Sequence, residues 1–518
     1  MLGLLLGLSC ASPSPVAQQL VFVRDGILTD TSVPGAVPVG GQRYLVNRAW
    51  APGDSVRLGD AEAVAPHQPS CEQLFQVDLG DLGQHAANGG VPPDTALAFS
   101  PDGGAIAVGT YLGEVWVVDG FTGRVRARRR LPEALVKAVT WSADGRTVYA
   151  AEQSPDAMVH ALEVEGLQTL WSVRLADIVG SSPLPDGQDR LGIYELPAAY
   201  GLEVLDGGDL LVVPLHSWND KAGVKRNRSQ VLRLRPDGTI ASRWPAEPAD
   251  AVLKHPRFDP ASGLVAVSVT RSADGPAPED LPIGGVQVLR LPDLEPVLAV
   301  NTPVLGPYFT ETYIWQALDV SGPLDAVLMG YGDGRVRLVS LEGEDLALLT
   351  TGSPVMAGEV PIHAAVGWGV LTGDGALYST QSTHIPWGAA SPELRPPSAH
   401  PNENALFKVD RTGQLAWTWS GHYALQGLSV SPDGSTLVVG AGARQTDDRR
   451  DAFGAVVFDL SGSPERGGAE RLEVFCPTES AVFFEHRVVD DGRVAVTEYP
   501  DIDSEGHVRG GYRLTVLR

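Results

Sequence analysis

Cysteine is nearly absent from this chain: 3 residues in 518, at Cys10, Cys71 and Cys476. So few thiols exclude a dense disulfide framework and a cysteine-built metal cluster. Cations are scarce as well, with 39 Lys and Arg against 63 Asp and Glu, a formal net charge of -24. A surface of that sign repels phosphate backbones, whose binding depends on neutralising cations, so nucleic acid is not an expected partner. No run approaches the roughly 18 consecutive apolar residues of a spanning helix. The sequence signatures of common catalytic sites are also missing: there is no G-x-S-x-G, no H-E-x-x-H and no cluster of histidines. The 11 histidines are scattered, and His216, His255, His363, His422 and His486 lie in or beside strand-like runs, where a hydrogen-bonded structural role is expected.

Turn residues are plentiful. With 59 Gly, 40 Pro and 43% hydrophobic residues, the composition fits short strands joined by tight turns around a large core. One pattern recurs: an apolar strand, an Asp-Gly turn, a second apolar strand, a variable loop, then two more strands joined by a second turn. Residues 95–131, TALAFSPDGGAIAVGTYLGEVWVVDGFTGRVRARRRL, are its clearest copy, and VKAVTWSADGRTVYAAEQ with MVHALEVEGLQTLWSVRL follows at a period of about 40 residues. Later copies begin near residues 201, 252, 313, 362 and 425, and a last one, VFFEHRVVDDGRVAVTEY with GYRLTVLR, supplies three strands. The expected fold is all-β: a β-propeller of about eight four-stranded antiparallel blades, seven being the alternative. A three-stranded blade exposes an unpaired edge, and the N-terminal run LFQVDLG is expected to fill it and close the ring. The propeller then occupies residues 71–518, and residues 20–70 form a cap or part of the closing blade.

Residues 1–9, MLGLLLGLS, are apolar and end in a small residue before Cys10; ASPSPVAQQ then reads as a tether over residues 10–19. This looks like a bacterial lipoprotein signal, a resemblance that implies cleavage before Cys10 and lipid attachment to its thiol. The other readings are an ordinary cleaved signal peptide or a ragged terminus. Either kind of signal places the chain at the bacterial cell envelope, lipid-anchored or secreted, where Cys71 and Cys476 form a disulfide or remain two buried thiols.

The FSPDG, WSADG and VSPDG turns resemble those of WD repeats and of YVTN-type bacterial propellers. Trp116, Trp171 and Trp417 lack the Asp that follows in true WD repeats, so the likeness is WD-like. GLQTLWSVRL, TGQLAWTWSG and MGYGDGRVRLVSLEG are similar to pyrroloquinoline-quinone-type repeats, a family that includes quinoprotein dehydrogenases and a cofactor-free outer-membrane scaffold. Neither resemblance selects a function.

Four inserts, at residues 219–229, 271–283, 383–404 and 443–453, fall between the second and third strands of their copies and are expected on one rim. Trp387 and His384 stand in the longest as candidate partner contacts, and KAGVKRNR is a local basic island. These segments are either binding loops or tolerated drift. In PDIDSEGH, Asp501, Asp503 and Glu505 alternate as oxygen ligands would around calcium, although Tyr512 occupies the position where a helical calcium loop needs a bidentate carboxylate. The alternative is a solvated acidic turn, and no other cofactor is expected. The sequence therefore predicts a non-catalytic, envelope-anchored platform for a protein or glycan. The alternative is a propeller enzyme of lactonase, hydrolase or quinoprotein type with a central-channel site.

Overall fold

The computed structural model describes residues 71–82, 96–131, 135–183, 196–221, 224–271, 281–282, 284–301, 314, 316–357, 360–382, 400–421, 424–442, 453–460, 472–502 and 508–518, and before these only the strands Leu20–Arg24, Ile27–Thr31 and Val56–Arg57. Cys10 with its signal and tether, His384, Trp387, Asp503 and Glu505 lie outside the described residues. Almost everything described is antiparallel strand, with one short helix, Ala176–Val179.

Among the described residues, 32 of the 39 strands form eight consecutive four-stranded antiparallel groups, numbered I to VIII, of which II and III are joined by strand pairing into one sheet, as are V and VI; the other seven strands are Leu20–Arg24, Ile27–Thr31, Val56–Arg57 and the short pairs Val355–Ala357 with Val360–Ile362 and Asp501–Ile502 with Val508–Arg509. Sheet I is Ala96–Phe99, Ala105–Gly109, Glu114–Asp119 and Val125–Arg130. Sheet II is Leu135–Trp141, Thr147–Gln153, Met158–Glu163 and Thr169–Arg174. Sheet III is Ala198–Val204, Leu210–Asn219, Lys225–Leu234 and Ile240–Ala249. Sheet IV is Ala251–Asp259, Leu264–Arg271, Gly284–Arg290 and Glu295–Asn301. Sheet V is Gln316–Ser321, Ala326–Gly330, Arg335–Val339 and Asp345–Thr350. Sheet VI is Ala364–Thr372, Gly375–Ser382, Ala405–Asp410 and Leu415–Ser420. Sheet VII is Ala424–Val430, Thr436–Gly442, Gly454–Asp459 and Leu472–Pro477. Sheet VIII joins Ala481–Val488, Val494–Tyr499 and Tyr512–Leu517 to a strand from far upstream, Gln73–Gly80, which pairs antiparallel with Tyr512–Leu517.

The turns explain why these residues make hairpins. In sheet I, Ser100 Oγ donates to Asp102 (2.6 Å) and accepts from the Ala105 N–H (2.8 Å), while Asp102 accepts the Gly104 N–H (2.9 Å). The same bonds recur around Ser142 with Asp144 and around Ser431 with Asp433. Gly103, Gly145 and Gly434 follow these acids at φ of 66°, 68° and 75°, where a side chain is strained. The serine hydroxyls, and next the backbone N–H groups, hold all three carboxyls below the usual range. Each turn is thus fixed by side-chain bonds that span no more than five positions.

The chain divides into two compact units. One comprises Met1–Ala63, Trp218–Arg228 and Ala249–Ser420, and so holds sheets IV to VI. Its cores lie between consecutive sheets: Ala266, Val286 and Val288 of sheet IV pack with Leu318, Val327 and Met329 of sheet V, and Leu328, Val336 and Leu338 of sheet V pack with Tyr378, Phe407 and Val409 of sheet VI. The first strands of sheets V and VI also run parallel in register, Gln316 opposite Trp368 and Ala317 opposite Gly369.

The other unit comprises Val64–Ser217, Ser229–Pro248 and Gly421–Arg518, with sheets VII, VIII, I, II and most of III. Val438, Ala455 and Cys476 of sheet VII meet Val482, Val494 and Val496 of sheet VIII. Tyr499, Tyr512 and Leu514 of sheet VIII meet Ile106, Val108 and Trp116 of sheet I. Ala107, Val115 and Val117 of sheet I meet Val148, Ala150 and Leu162 of sheet II, whose Tyr149, Val159 and Ala161 meet Leu210, Val212 and Leu232 of sheet III. Each buried Val or Leu contributes roughly 1.5–3 kcal/mol, so the stability of each unit is spread along its sheet-to-sheet faces.

Cys71 and Cys476 are joined as a disulfide, with Cα atoms 5.1 Å apart across 405 positions. It ties the outer strand of sheet VII to the start of Gln73–Gly80. Beside it, Glu72 and Arg518 exchange two backbone hydrogen bonds of 2.9 Å.

Two sequence expectations need correction. Residues 219–229 are not a loop insert throughout: Asn219 ends the strand Leu210–Asn219, residues 225–229 belong to Lys225–Leu234, and between them Asp220 accepts the Val224 N–H (2.9 Å). Arg226, read as part of a basic island, is neutralised by Asp220 and Asp250. The denser basic stretch is Arg124 to Arg130, five arginines in seven residues, four of them on the outer strand Val125–Arg130 of sheet I.

Candidate functional site

In a meander the connection from second to third strand emerges at the same end as the linkers between sheets. Residues 272–283, 383–404 and 443–453 occupy that position in sheets IV, VI and VII. The base of the longest is built as a buried polar knot, for which proline and asparagine suit the irregular backbone. His400, 2% exposed, accepts the Asn402 N–H on Nδ1 (3.0 Å) and donates from Nε2 to Ser353 O (2.9 Å), which fixes its tautomer. Asn402 donates to Thr351 O (2.5 Å), and Thr380 Oγ1 donates to Asn402 O (2.5 Å) while accepting from Ala405 N (3.0 Å). Thr351 Oγ1 in turn donates to Ala364 O (2.8 Å). The insert thus leaves from a base pinned to the strand before it and to the linker ahead of sheet VI. No sequence spacing showed this, because its bonds run between positions tens of residues apart.

Sheet VIII has its own addition at this end, a short pairing of Asp501–Ile502 with Val508–Arg509 in which Asp501 stands opposite Arg509. Asp501 is therefore placed, while Asp503 and Glu505 are not described. Among the described residues no three His, Cys, Asp or Glu gather as metal ligands.

A second constellation lies on sheet II. Glu152 and His160 are 5% and 8% exposed, and Ser172 on the outer strand is exposed. Ser172 Oγ lies 2.7 Å from His160 Nδ1, His160 Nε2 lies 2.8 Å from Glu152 Oε1, and Ser154 Oγ donates to Glu152 Oε2 (2.8 Å). A histidine held between a hydroxyl and a carboxylate can accept the hydroxyl proton. Sheet I fills the corresponding corner with Glu114, which accepts from Trp116 Nε1 (3.1 Å) and twice from Arg128 (3.0 and 2.7 Å). In both sheets a buried carboxylate is satisfied by its lateral neighbours, and only sheet II uses groups capable of acid–base chemistry.

On the first strands of sheets IV and V, Arg257 donates to Leu318 O (3.1 Å) beside Asp319, which accepts from Val320 N (2.9 Å) and Leu371 N (2.7 Å). Desolvation pushes the Asp319 carboxyl up; Arg257 and the two N–H groups pull it back. Asp319 spans from the first strand of sheet V to that of sheet VI, and its bonds are those of a structural pin. His486 is fully buried, and its Nε2 donates to Gln426 O (3.1 Å). His216 contacts Ser182 Oγ (2.8 Å) and Val179 O (3.2 Å).

No family model matches the chain, and no curated protein does. Solved structures do. The C-terminal WD40 domain of Sif2 superposes with a TM-score of 0.51 at 9% identity, over 87% of this chain and 99% of that one. The Dos1 propeller gives a TM-score of 0.51 at 12% identity, over 86% and 95%. At such identity the likeness shows the fold alone: a β-propeller built of WD40-like repeats.

Proposed function

We propose that this protein is a non-catalytic, envelope-anchored β-propeller lipoprotein, its eight sheets the blades of one ring, which holds a protein or glycan partner on the connections between second and third strands. The observation carrying this reading is the contrast between uniform sheets and uneven connections: residues 110–113 suffice in sheet I, whereas sheet VI devotes residues 383–404 to the same join. A rigid scaffold with variable loops at one end is where binding groups concentrate. The knot at His400 and Asn402 supports the longest connection from below, and Trp387 and His384 are its candidate contacts. The Cys71–Cys476 disulfide suits an oxidising compartment, in keeping with lipid attachment at Cys10.

Crosslinking in native membranes tests it. Cys10→Ser should move the protein to the soluble fraction and abolish fatty-acid labelling, and deletion of residues 383–399 should remove a crosslinked partner. An unchanged crosslink set in the deletion would defeat the proposal. A second reading, a hydrolase, is favoured by the Ser172, His160 and Glu152 row alone. A fluorophosphonate that labels the protein but not its Ser172→Ala variant would establish that reading in place of the first.

A further inference from the structure

The outer strand of sheet I is unlike its counterparts. Arg124, Arg126, Arg128, Arg129 and Arg130 crowd into a stretch of about 20 Å, in a chain whose net charge is -24. Charge on an edge strand is a common guard against aggregation, and a bulge that disrupts the edge is another. The bulge is here, between Val117 and Val118 against Val125 and Ala127, and it recurs between the third and fourth strands of sheets II, IV, V and VI. The arginines do not recur: no other described fourth strand has more than one. Edge protection therefore accounts for the bulge and leaves the arginines unexplained.

Their partners divide them. Arg126 pairs with Asp119, Arg128 pairs with Glu114 and stacks over Trp116 at 4.5 Å, and Arg129 donates to Leu167 O. Arg124 and Arg130 are exposed and make no side-chain bond among the described residues. Just before the strand, in the turn joining it to Glu114–Asp119, Phe121 is 58% exposed. One face of its ring is backed by the Arg493 guanidinium at 3.9 Å, and Arg493 is itself buried and held by Asp491 and by Gly120 O (2.7 Å). An exposed aromatic ring stiffened from behind at one end of the strand, with guanidinium groups bearing unused donors at both ends, offers an extended ligand a stacking face and bidentate anion binding together.

We propose that this edge binds a linear acidic glycan, with a sugar ring on Phe121 and its carboxylate or sulfate groups on Arg124 and Arg130. The bulge disfavours an added peptide strand, which needs a regular edge. A single-stranded polynucleotide is the competing polyanion, and its binding is an outcome of the test below. The turn bearing Phe121 and Arg124 lies at the opposite end of sheet I from residues 110–113, whereas Arg130 stands opposite Glu114 beside them, so the surface runs the length of the outer strand.

Fluorescence anisotropy with labelled hexagalacturonate and a labelled heparin hexasaccharide tests it on the full chain. At least one probe should bind, with neutral maltohexaose inert. The double variant Arg124→Glu, Arg130→Glu should lose at least about tenfold in affinity and flatten the salt dependence. Phe121→Ala should lose about tenfold with the salt dependence retained, and deletion of residues 383–399 should change nothing. Failure of both acidic probes, equal binding of single-stranded hexathymidylate, or indifference to both sets of variants in proteins of native circular dichroism would overturn the proposal.

Discussion

Breaking the Cys71–Cys476 bond should weaken the fold by a few kcal/mol without dismantling the sheets beside it. The bond closes a loop of 405 positions. In the chain-entropy description such a cross-link removes about 20 cal/mol/K from the unfolded ensemble, or about 6 kcal/mol at 25 °C, and measured losses for native bonds run at about 2–5 kcal/mol. The folded state keeps other holds on the same strand. Gln73–Gly80 stays paired with Tyr512–Leu517, the Glu72 and Arg518 backbone bonds remain, and Gln76 still donates to Glu498 (3.0 Å) and Thr515 (3.2 Å). The loss should therefore appear as greater freedom of the unfolded chain, about 3–5 kcal/mol. Urea unfolding followed by tryptophan fluorescence, in a Cys10→Ser background, reads it: reductant and the double variant Cys71→Ala, Cys476→Ala should shift the curve equally, with native circular dichroism unchanged. Coincident curves with and without reductant, or two alkylatable thiols in the untreated protein, would refute the reasoning.

Burial pushes the His486 imidazole down to about 4, aided by the Arg487 charge. The unfolded chain takes up that proton near pH 6.5, so this contribution is complete above pH 6.5 and is lost as pH falls toward 4, by about 3 kcal/mol in all. His486→Gln should flatten that part of the urea-midpoint profile, and an unchanged profile would disprove it. The Tyr378 hydroxyl is fully buried with no hydrogen-bond partner among the described residues, its ring stacked on Phe407 at 5.3 Å. Tyr378→Phe should raise stability by about 1 kcal/mol in thermal unfolding, since it removes an unsatisfied donor, and a loss of that size would contradict the assignment. Ser431→Ala removes both the bond to Asp433 and the one from Thr436 N (2.9 Å), and should cost about 1–2 kcal/mol in the same assay. The carboxyls of Asp102, Asp144 and Asp433 are depressed, so their share of stability is full above the ordinary carboxylate range and disappears as pH falls below it.

What was legible in the sequence is what local chemistry controls. Ser100, Asp102 and Gly103 build their turn from bonds within five positions, so the hairpins of sheets I, II and VII could be read directly. The hairpin of sheet III could not: Pro214, His216 and Asn219 break the apolar alternation, yet Leu210–Asn219 and Lys225–Leu234 are ten-residue strands paired with each other. The His400 knot, the Glu152 and His160 row and the seat of Phe121 on Arg493 depend on contacts between distant positions, which no spacing encodes. The arginines at 124 to 130 were plain in the sequence. Their meaning was not, because only comparison with the other seven outer strands makes them exceptional.

The pairing of Gln73–Gly80 with Tyr512–Leu517 also constrains the order of assembly. Gln76 must wait for Thr515, 439 positions later, before sheet VIII has its fourth strand. A ribosome or export channel releasing the chain from its amino end would deliver one strand of this sheet long before the other three exist. During that interval the apolar face of Phe75 and Val77 stands uncovered, the kind of surface that makes incompletely folded chains prone to aggregate.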